Sequence, residues 1–266
     1  METRDADPIA LGSCLVSLLD PNPGEEVAFH RWYERDHFYA GCLIGPWFFA
    51  GRRFVATRPL KDLRFPEPSP APGEIRRGSY LALYWILAGH HDEAEHWAVT
   101  QVQHLIASDR MLPSRRPVHA GFYRYRWGAF RDVDGVPAEL ALDHPYAGVV
   151  LLMIDREPDA DPGELERFLR EQQLPRILSE SPAAICLGFE PLALPDAAPA
   201  YLTRPSGLER RSLLIFFLEE DPRRNWRQRF EPQARALRES GLVSIRWAAP
   251  FIPTIPGTDR YTDELW

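Results

Sequence analysis

The strongest constraint on this chain is an order of elements that occurs twice. An apolar run, a helix with an aromatic stripe, two further apolar runs, a second helix and a closing apolar run fill residues 10 to 130, and the order returns from Tyr146. A shift of 136 residues sets Leu165 on Phe29, Phe168 on Trp32, Leu169 on Tyr33 and Gln173 on His37. Self-similarity at a fixed offset signals a duplicated structural unit. Each copy reads as βαββαβ, which forms a four-stranded antiparallel sheet with both helices on one face. Each sheet leaves its other face uncovered, and packing the two faces together buries both. The expected class is therefore α+β, with halves at residues 1–135 and 136–266.

In the first half, ALGSCLVSLL at residues 10 to 19 ends in the turn DPNPG, so it predicts a buried strand followed by a helix from about Glu25 to Gly41. WFFAGRRFVAT predicts the second strand and YLALYWIL, Tyr80 to Leu87, the third. Asp92 is a candidate cap for a helix running to about Ser108, with Ala94, Trp97, Ala98 and Leu105 on its core face. GFYRYRWGAF alternates as the fourth strand, with Tyr123, Tyr125 and Trp127 to one side and Arg124 and Arg126 to the other. The second half repeats the order through AGVVLLMI, DPGELERFLREQQLPRIL, AAICLGFEPLAL, SLLIFFL, a helix from about Arg223 to Glu239, and LVSIRWA. Proline-rich stretches separate the second and third strands of each half. They carry Pro59, Pro66, Pro68, Pro70 and Pro72 in one case and Pro195, Pro199 and Pro205 in the other. Both read as extended surface loops without a helix interior.

The 266 residues are 45% hydrophobic and 12% aromatic, enough for a sizeable core. A net charge of −7, from 31 basic and 38 acidic residues mixed along the chain, leaves no basic footprint for nucleic acid or an acidic membrane. Cys14, Cys42 and Cys186 are odd in number, lie among apolar residues and form no CxxC pair, which fits a reducing cytosol. METRDADPIA lacks a signal-peptide core, and no apolar run approaches the roughly 18 residues that a membrane span needs.

On a regular helix Phe29, Trp32, Tyr33, Asp36, His37 and Ala40 share one face. A carboxylate and an imidazole at the end of an aromatic stripe need partners or a task. A neutral imidazole can take and return a proton at cellular pH, so His37 is the candidate catalytic base, with Asp36 beside it and Trp32 and Tyr33 as substrate walls. The plain alternative is a histidine that hydrogen-bonds to a backbone carbonyl at the sheet edge. Alternation sets Tyr80 and Tyr84 opposite Leu81, Leu83, Trp85 and Leu87. The aliphatic side is expected against the helices, while Tyr80, Tyr84, Tyr123 and Tyr125, with Trp127, line the covered face and hold a flat apolar ligand. An aromatic core with no cavity is the alternative. HHDEAEH at residues 90 to 96 lacks the HExxH spacing of a zinc helix, and no nucleophile elbow, dinucleotide loop or P-loop occurs. No metal site and no organic cofactor are expected.

FHRWYERDHFYAG followed by GPWFFAGRRF, Phe29 to Phe54, resembles a pattern of the EthD-like members of the dimeric α/β-barrel superfamily. That pattern is WY, an acid and His, then P-G-F, a small residue and RR-F/Y. In the second half only the LP of FLREQQLPRIL remains, and Gln173 stands where the His would be. Members usually build the barrel from two chains. The resemblance implies two tandem ferredoxin-like βαββαβ units forming an intrachain pseudo-dimeric α/β barrel, monomeric or loosely homodimeric, with one intact and one degenerate site. It also implies a cofactor-free small-molecule enzyme of dehydratase, isomerase, cyclase or oxygenase type, acting on an aromatic or polyketide-like substrate through a His base. The alternatives are a non-catalytic small-molecule-binding or scaffold protein and, since related barrels bind haem, a haem protein, although no histidine stands out as an axial ligand.

Overall fold

A computed structural model describes residues 9–66, 76–113, 115–198 and 206–266. The first half comprises β1 (Leu11–Pro21), α1 (Glu26–Trp32), β2 (Phe48–Val55), a helical turn α2 (Arg58–Lys61), β3 (Tyr80–Leu87), α3 (His91–Ala107) and β4 (Arg115–Phe130). The second comprises β5 (Gly148–Arg156), α4 (Pro162–Phe168), α5 (Leu174–Glu180), β6 (Ala183–Pro191), β7 (Arg211–Leu218), α6 (Pro222–Asn225), α7 (Glu231–Glu239) and β8 (Val243–Pro253). Each half places its strands in the spatial order fourth, first, third, second, and every pairing is antiparallel. The sheets then join at both edges, β2 to β8 and β4 to β6, so that one chain closes an eight-stranded barrel. An α+β barrel closed within one chain is the expected fold class, and closure leaves no strand edge open along either seam.

The interior of the barrel is a packed core. Trp85 of β3 meets Phe189 of β6 at 5.8 Å and Phe217 of β7 at 6.4 Å between ring centroids, although these strands are not neighbours in the barrel. Leu81, Leu83, Val149, Leu151 and Phe251 fill the same fully buried cluster. The Trp85 indole donates to the Ala138 carbonyl at 3.1 Å, so the largest interior side chain leaves no polar atom unpaired.

This arrangement reverses the expected facing of β3. Leu81, Leu83 and Trp85 point inward, while Tyr80 and Tyr84 face the helices, where the Tyr84 hydroxyl lies 3.2 Å from that of Tyr33. A dry interior suits the aliphatic side, and the helical layer supplies the hydroxyl's partner. Tyr123 and Tyr125 face inward as expected, but a register shift between Tyr125 and Trp127 turns Trp127 out over Gly188, against the second half's helices. Arg124 and Arg126 are exposed.

Other expectations need amendment. After Trp32 the opening helix widens into five-residue turns, Tyr33–His37 and Tyr39–Leu43, and such inserts rotate the register of everything beyond them. Phe29, Tyr33 and Ala40 remain buried, while Trp32, Asp36 and His37 are only partly so. The same widening occurs at Leu169–Gln173, at the 136-residue offset. Asp92 lies in the first turn of α3 rather than capping it, and the cap position is His90. Pro59 lies in the first turn of α2, where a missing N–H breaks no bond within the helix. Pro68, Pro70, Pro72, Pro199 and Pro205 lie outside the described residues.

Closure within one chain predicts that light scattering will give the mass of a single chain at micromolar concentration. Truncation of Trp85 to Ala should lower stability by about 3–5 kcal/mol in urea unfolding, since the closed wall around it cannot collapse into the void. That loss would be a large part of a typical total of about 5–15 kcal/mol.

Candidate active site

Between the helix-facing side of the first sheet and its helical layer lies a mainly apolar cavity of about 120 Å³. Leu15, Ser17 and Tyr84 wall it from the sheet, Tyr33 and His37 from the widened helix, and Val102 from α3. The second half contributes Leu194, Pro195 and Ala198, so the site draws on both halves. One water needs roughly 10–15 Å³ of such space, so the volume suits an organic molecule.

His37 sits in this wall under tight restraint. The Trp32 ring stacks on the imidazole at 4.5 Å and 16°, and Tyr33 meets it edge-on at 5.1 Å. Trp32 is itself held by its indole donating to the Arg110 carbonyl at 2.9 Å. Gly41 leaves room for the ring, because a Cβ at that position would lie 3.1 Å from His37 Cε1. Nδ1 of His37 is buried with no hydrogen-bond partner among the described residues. Burial, followed by the positive charge of Arg115, lowers the pKa of His37 to about 4 against the opposing pull of Asp36. The imidazole is therefore neutral at cellular pH. Asp36 does not hold it: the carboxylate pairs with Arg110 at the partly exposed rim.

The cavity wall next to His37 is made of protonated hydroxyls and thiol. Burial raises the pKa values of Tyr33, Tyr84 and Cys42. Behind them the Arg53 guanidinium lies 4.7 Å from the Tyr33 ring centroid and 5.5 Å from that of Tyr80. Tyr80 belongs to this second layer, packed on Phe29 at 5.3 Å, and does not border the cavity. Tyr123 faces the barrel interior but reaches His119, which borders the cavity, through a 2.7 Å hydrogen bond. Tyr125 packs on Phe189 at 5.6 Å, away from the cavity. Of the residues named from sequence, the structure thus gathers Tyr33, His37 and Tyr84, with Trp32 stacked behind His37, and places Asp36, Tyr80, Tyr123 and Tyr125 outside the wall. His119, Arg115 and Cys42 were not legible as site residues; Arg53 had a signal in the RRF run.

The equivalent position in the second half is satisfied internally. Gln173 is buried and its amide donates to the Gln233 carbonyl at 2.8 Å. Leu165, Leu169, Trp226 and Phe230 belong to the buried apolar cluster of that half. Among the described residues no group of three or more His, Cys, Asp or Glu could hold a metal ion. His91 of the HHDEAEH run bonds instead to Ser13 at 2.9 Å, and His90 stacks on Trp47 at 3.6 Å.

No protein-family model matches the chain, and no curated protein does. Solved structures do. An anthrone oxidase-like protein is 9% identical with a TM-score of 0.52, over 95% of this chain and 98% of its own. A DypB variant from Rhodococcus jostii RHA1 in complex with haem is 10% identical with a TM-score of 0.54, over 99% and 98%. A dye-decolorizing peroxidase from Bacteroides thetaiotaomicron VPI-5482 is 9% identical with a TM-score of 0.51, over 98% and 97%. These likenesses show a shared α+β barrel built on ferredoxin-like units across the whole chain. The first-half cavity does not fit haem. A porphyrin needs a slot as wide as the macrocycle and an axial ligand aimed at its centre. That cavity has about 120 Å³ beside a histidine whose face Trp32 covers.

The folded-state pKa values of His37 and His119, each lowered from 6.5 to about 4, set the sign of a stability effect. Between these values the unfolded chain binds protons that the folded chain does not, so stability should fall as pH drops from about 6.5 towards 4. Urea midpoints across this range should show a shallower slope in His37→Gln than in the wild type, because carboxylate contributions are common to both.

Proposed function

We propose that the chain is a cofactor-free small-molecule enzyme in which His37 takes a proton from an aromatic or polyketide-like substrate held in the first-half cavity. One observation carries this reading: a neutral imidazole whose buried Nδ1 has no partner, on the wall of an apolar cavity. A buried polar atom left unpaired has a cost that a bound ligand can relieve. The second half supplies the contrast, since the Gln173 amide donates to the Gln233 carbonyl at 2.8 Å. On this reading the chain is an EthD-like protein whose halves, 1–135 and 136–266, arose by duplication and of which only the first keeps a working site. It acts as a monomer in the cytosol, in keeping with three buried free cysteines. No helix among the described residues is long and apolar enough to cross a membrane.

The step is removal of a proton from a carbon beside a carbonyl. The C–H bond breaks, an N–H bond forms on His37, and the electron pair moves to the carbonyl oxygen. The Trp32 stack and Gly41 hold the ring in place, and the apolar walls keep water from competing for the proton. Reprotonation elsewhere, loss of a hydroxyl group as water, attack on a second carbonyl, or reaction with dioxygen would complete isomerisation, dehydration, cyclisation or oxygenation.

Anthrone, suggested by the name of one structural neighbour, is a suitable probe because its methylene exchanges with deuterated solvent through the enolate. The wild type should accelerate this exchange at pH 7. His37→Gln should fold, since Gln occupies the equivalent place in the second half, and should lose about 10²- to 10⁴-fold in exchange rate. Gly41→Val should lose activity as well by crowding the imidazole. Binding of anthrone without accelerated exchange would favour the non-catalytic reading, and full activity in His37→Gln would refute the assigned base.

A further inference from the structure

Two phenols meet on the wall that carries His37, one from the helix and one from the sheet. Tyr33 opens the widened turn that ends in His37, and residues four apart on such a turn share nearly one face. Tyr84 stands on the helix-facing side of β3, paired with Leu15 of β1, and all four side chains border the cavity. The two hydroxyls lie 3.2 Å apart, and both tyrosines are buried. Ser17 and Cys42 border the cavity beside them. In the second half the same widened turn begins with Leu169 and ends with Gln173, so the phenol and the imidazole occur together in one copy and are missing together from the other.

Two hydroxyls joined by one hydrogen bond hold two hydrogens, and only one of them lies in the bond. The surroundings decide which. If Tyr33 donated, the Tyr84 hydrogen would be left to the Cys42 thiol, whose sulfur is a weak acceptor. If Tyr84 donates, its hydrogen meets a phenol oxygen, and the Tyr33 hydrogen is left without an acceptor among the described residues, on the wall beside His37. The second arrangement makes the stronger bond. The electrostatics agree with it: burial and then Tyr33 raise the pKa of Tyr84, whereas the Tyr84 and Ser17 hydroxyls lower that of Tyr33 against the larger upward pull of burial, as donors to its oxygen would. A phenol whose oxygen already accepts is a better donor, because linked hydrogen bonds polarise one another. The other cationic donor on this wall, Arg115, is engaged with the Leu112 carbonyl at 2.6 Å.

We infer that Tyr33 is a second catalytic residue of this cavity: its hydroxyl donates a hydrogen bond to the substrate oxygen that becomes negative when His37 removes the carbon-bound proton. The role rests on the proposed function and narrows it, since it selects substrates with an enolisable carbonyl over those that need only a base. The carbon-bound proton goes to His37 and the electron pair to the oxygen, while Tyr33 keeps its own proton and transfers nothing. The two ends of one widened turn divide the work: His37, with no partner on Nδ1, accepts, and Tyr33, with its oxygen occupied by Tyr84, donates. A donor fixed before the charge develops needs no reorganisation when it does. Tyr84 is a positioning residue that acts through Tyr33.

Two measurements on the full chain test this. In anthrone exchange, Tyr33→Phe should fall about 10²- to 10³-fold, the usual cost of removing one donor to a developing oxyanion. Tyr84→Phe should fall less, and a larger loss there than in Tyr33→Phe would overturn the direction of the bond and the role with it. The second probe is 2-naphthol, which resembles an enol and whose absorbance separates phenol from phenolate. The wild type should favour the bound phenolate, and Tyr33→Phe should reduce that preference by about 10- to 10²-fold, the worth of one hydrogen bond to a charged group. Slowed exchange with the preference intact would make Tyr33 a structural residue and refute the role. If Tyr33→Phe does not fold, Tyr84→Phe decides, because no loss in either measurement would break the chain of donors. Exchange that depends on His37 but is unchanged in both variants would refute the role of Tyr33 and leave the proposed function standing. Absence of exchange in the wild type would overturn that function and this role with it.

Discussion

Closure of the barrel inside a single chain is the constraint on which the rest depends. A four-stranded sheet with helices on one face presents an apolar second face and two open edges, and neither is stable in water. Here each half covers the other's face, and the seams at β2–β8 and β4–β6 remove the edges. Contact between Trp85, Phe189 and Phe217 across the barrel makes the halves one folding unit. Ties outside the barrel reinforce this: His30 of α1 bonds to the Thr258 carbonyl at 2.9 Å, and Lys61 donates to the Leu265 carbonyl at 2.9 Å.

Because the interior is spent on cohesion, space for a ligand lies on the other side of the sheet, under the helices. The first half opens such a space, and loop residues of the second half help to wall it. The halves share strand order and even the widened helical turn, yet they resolve one position differently. Gln173 donates its amide to the Gln233 carbonyl, whereas His37, which borders the cavity, keeps a buried nitrogen unpaired among the described residues.

The desolvation that lowers the pKa of His37 also limits it. A base of pKa about 4 is always ready at neutral pH but is a weaker proton acceptor than one near 7. In the proposed reaction the enolate oxygen would need its own donor, and the protonated hydroxyls of Tyr33 and Tyr84 border the same cavity.

The sequence by itself determined the strands and main helices, their order and the 136-residue offset between the two opening helices, because hydrophobic period and proline punctuation are local properties. It also pointed to Gln173 as the counterpart of His37. Tertiary structure alone decided which side of β3 faces inward. Alternation separates Tyr80 and Tyr84 from Leu81, Leu83 and Trp85, but the pattern is the same whichever side meets the helices. That choice fell to the partners each layer offered, a hydroxyl from Tyr33 on one side and rings from distant strands on the other. The widened turns that swing Asp36 to the rim and the placing of His119 beside the cavity were likewise invisible. The first depends on helix packing, and the second on a contact between β4 and a helical layer far away in the chain.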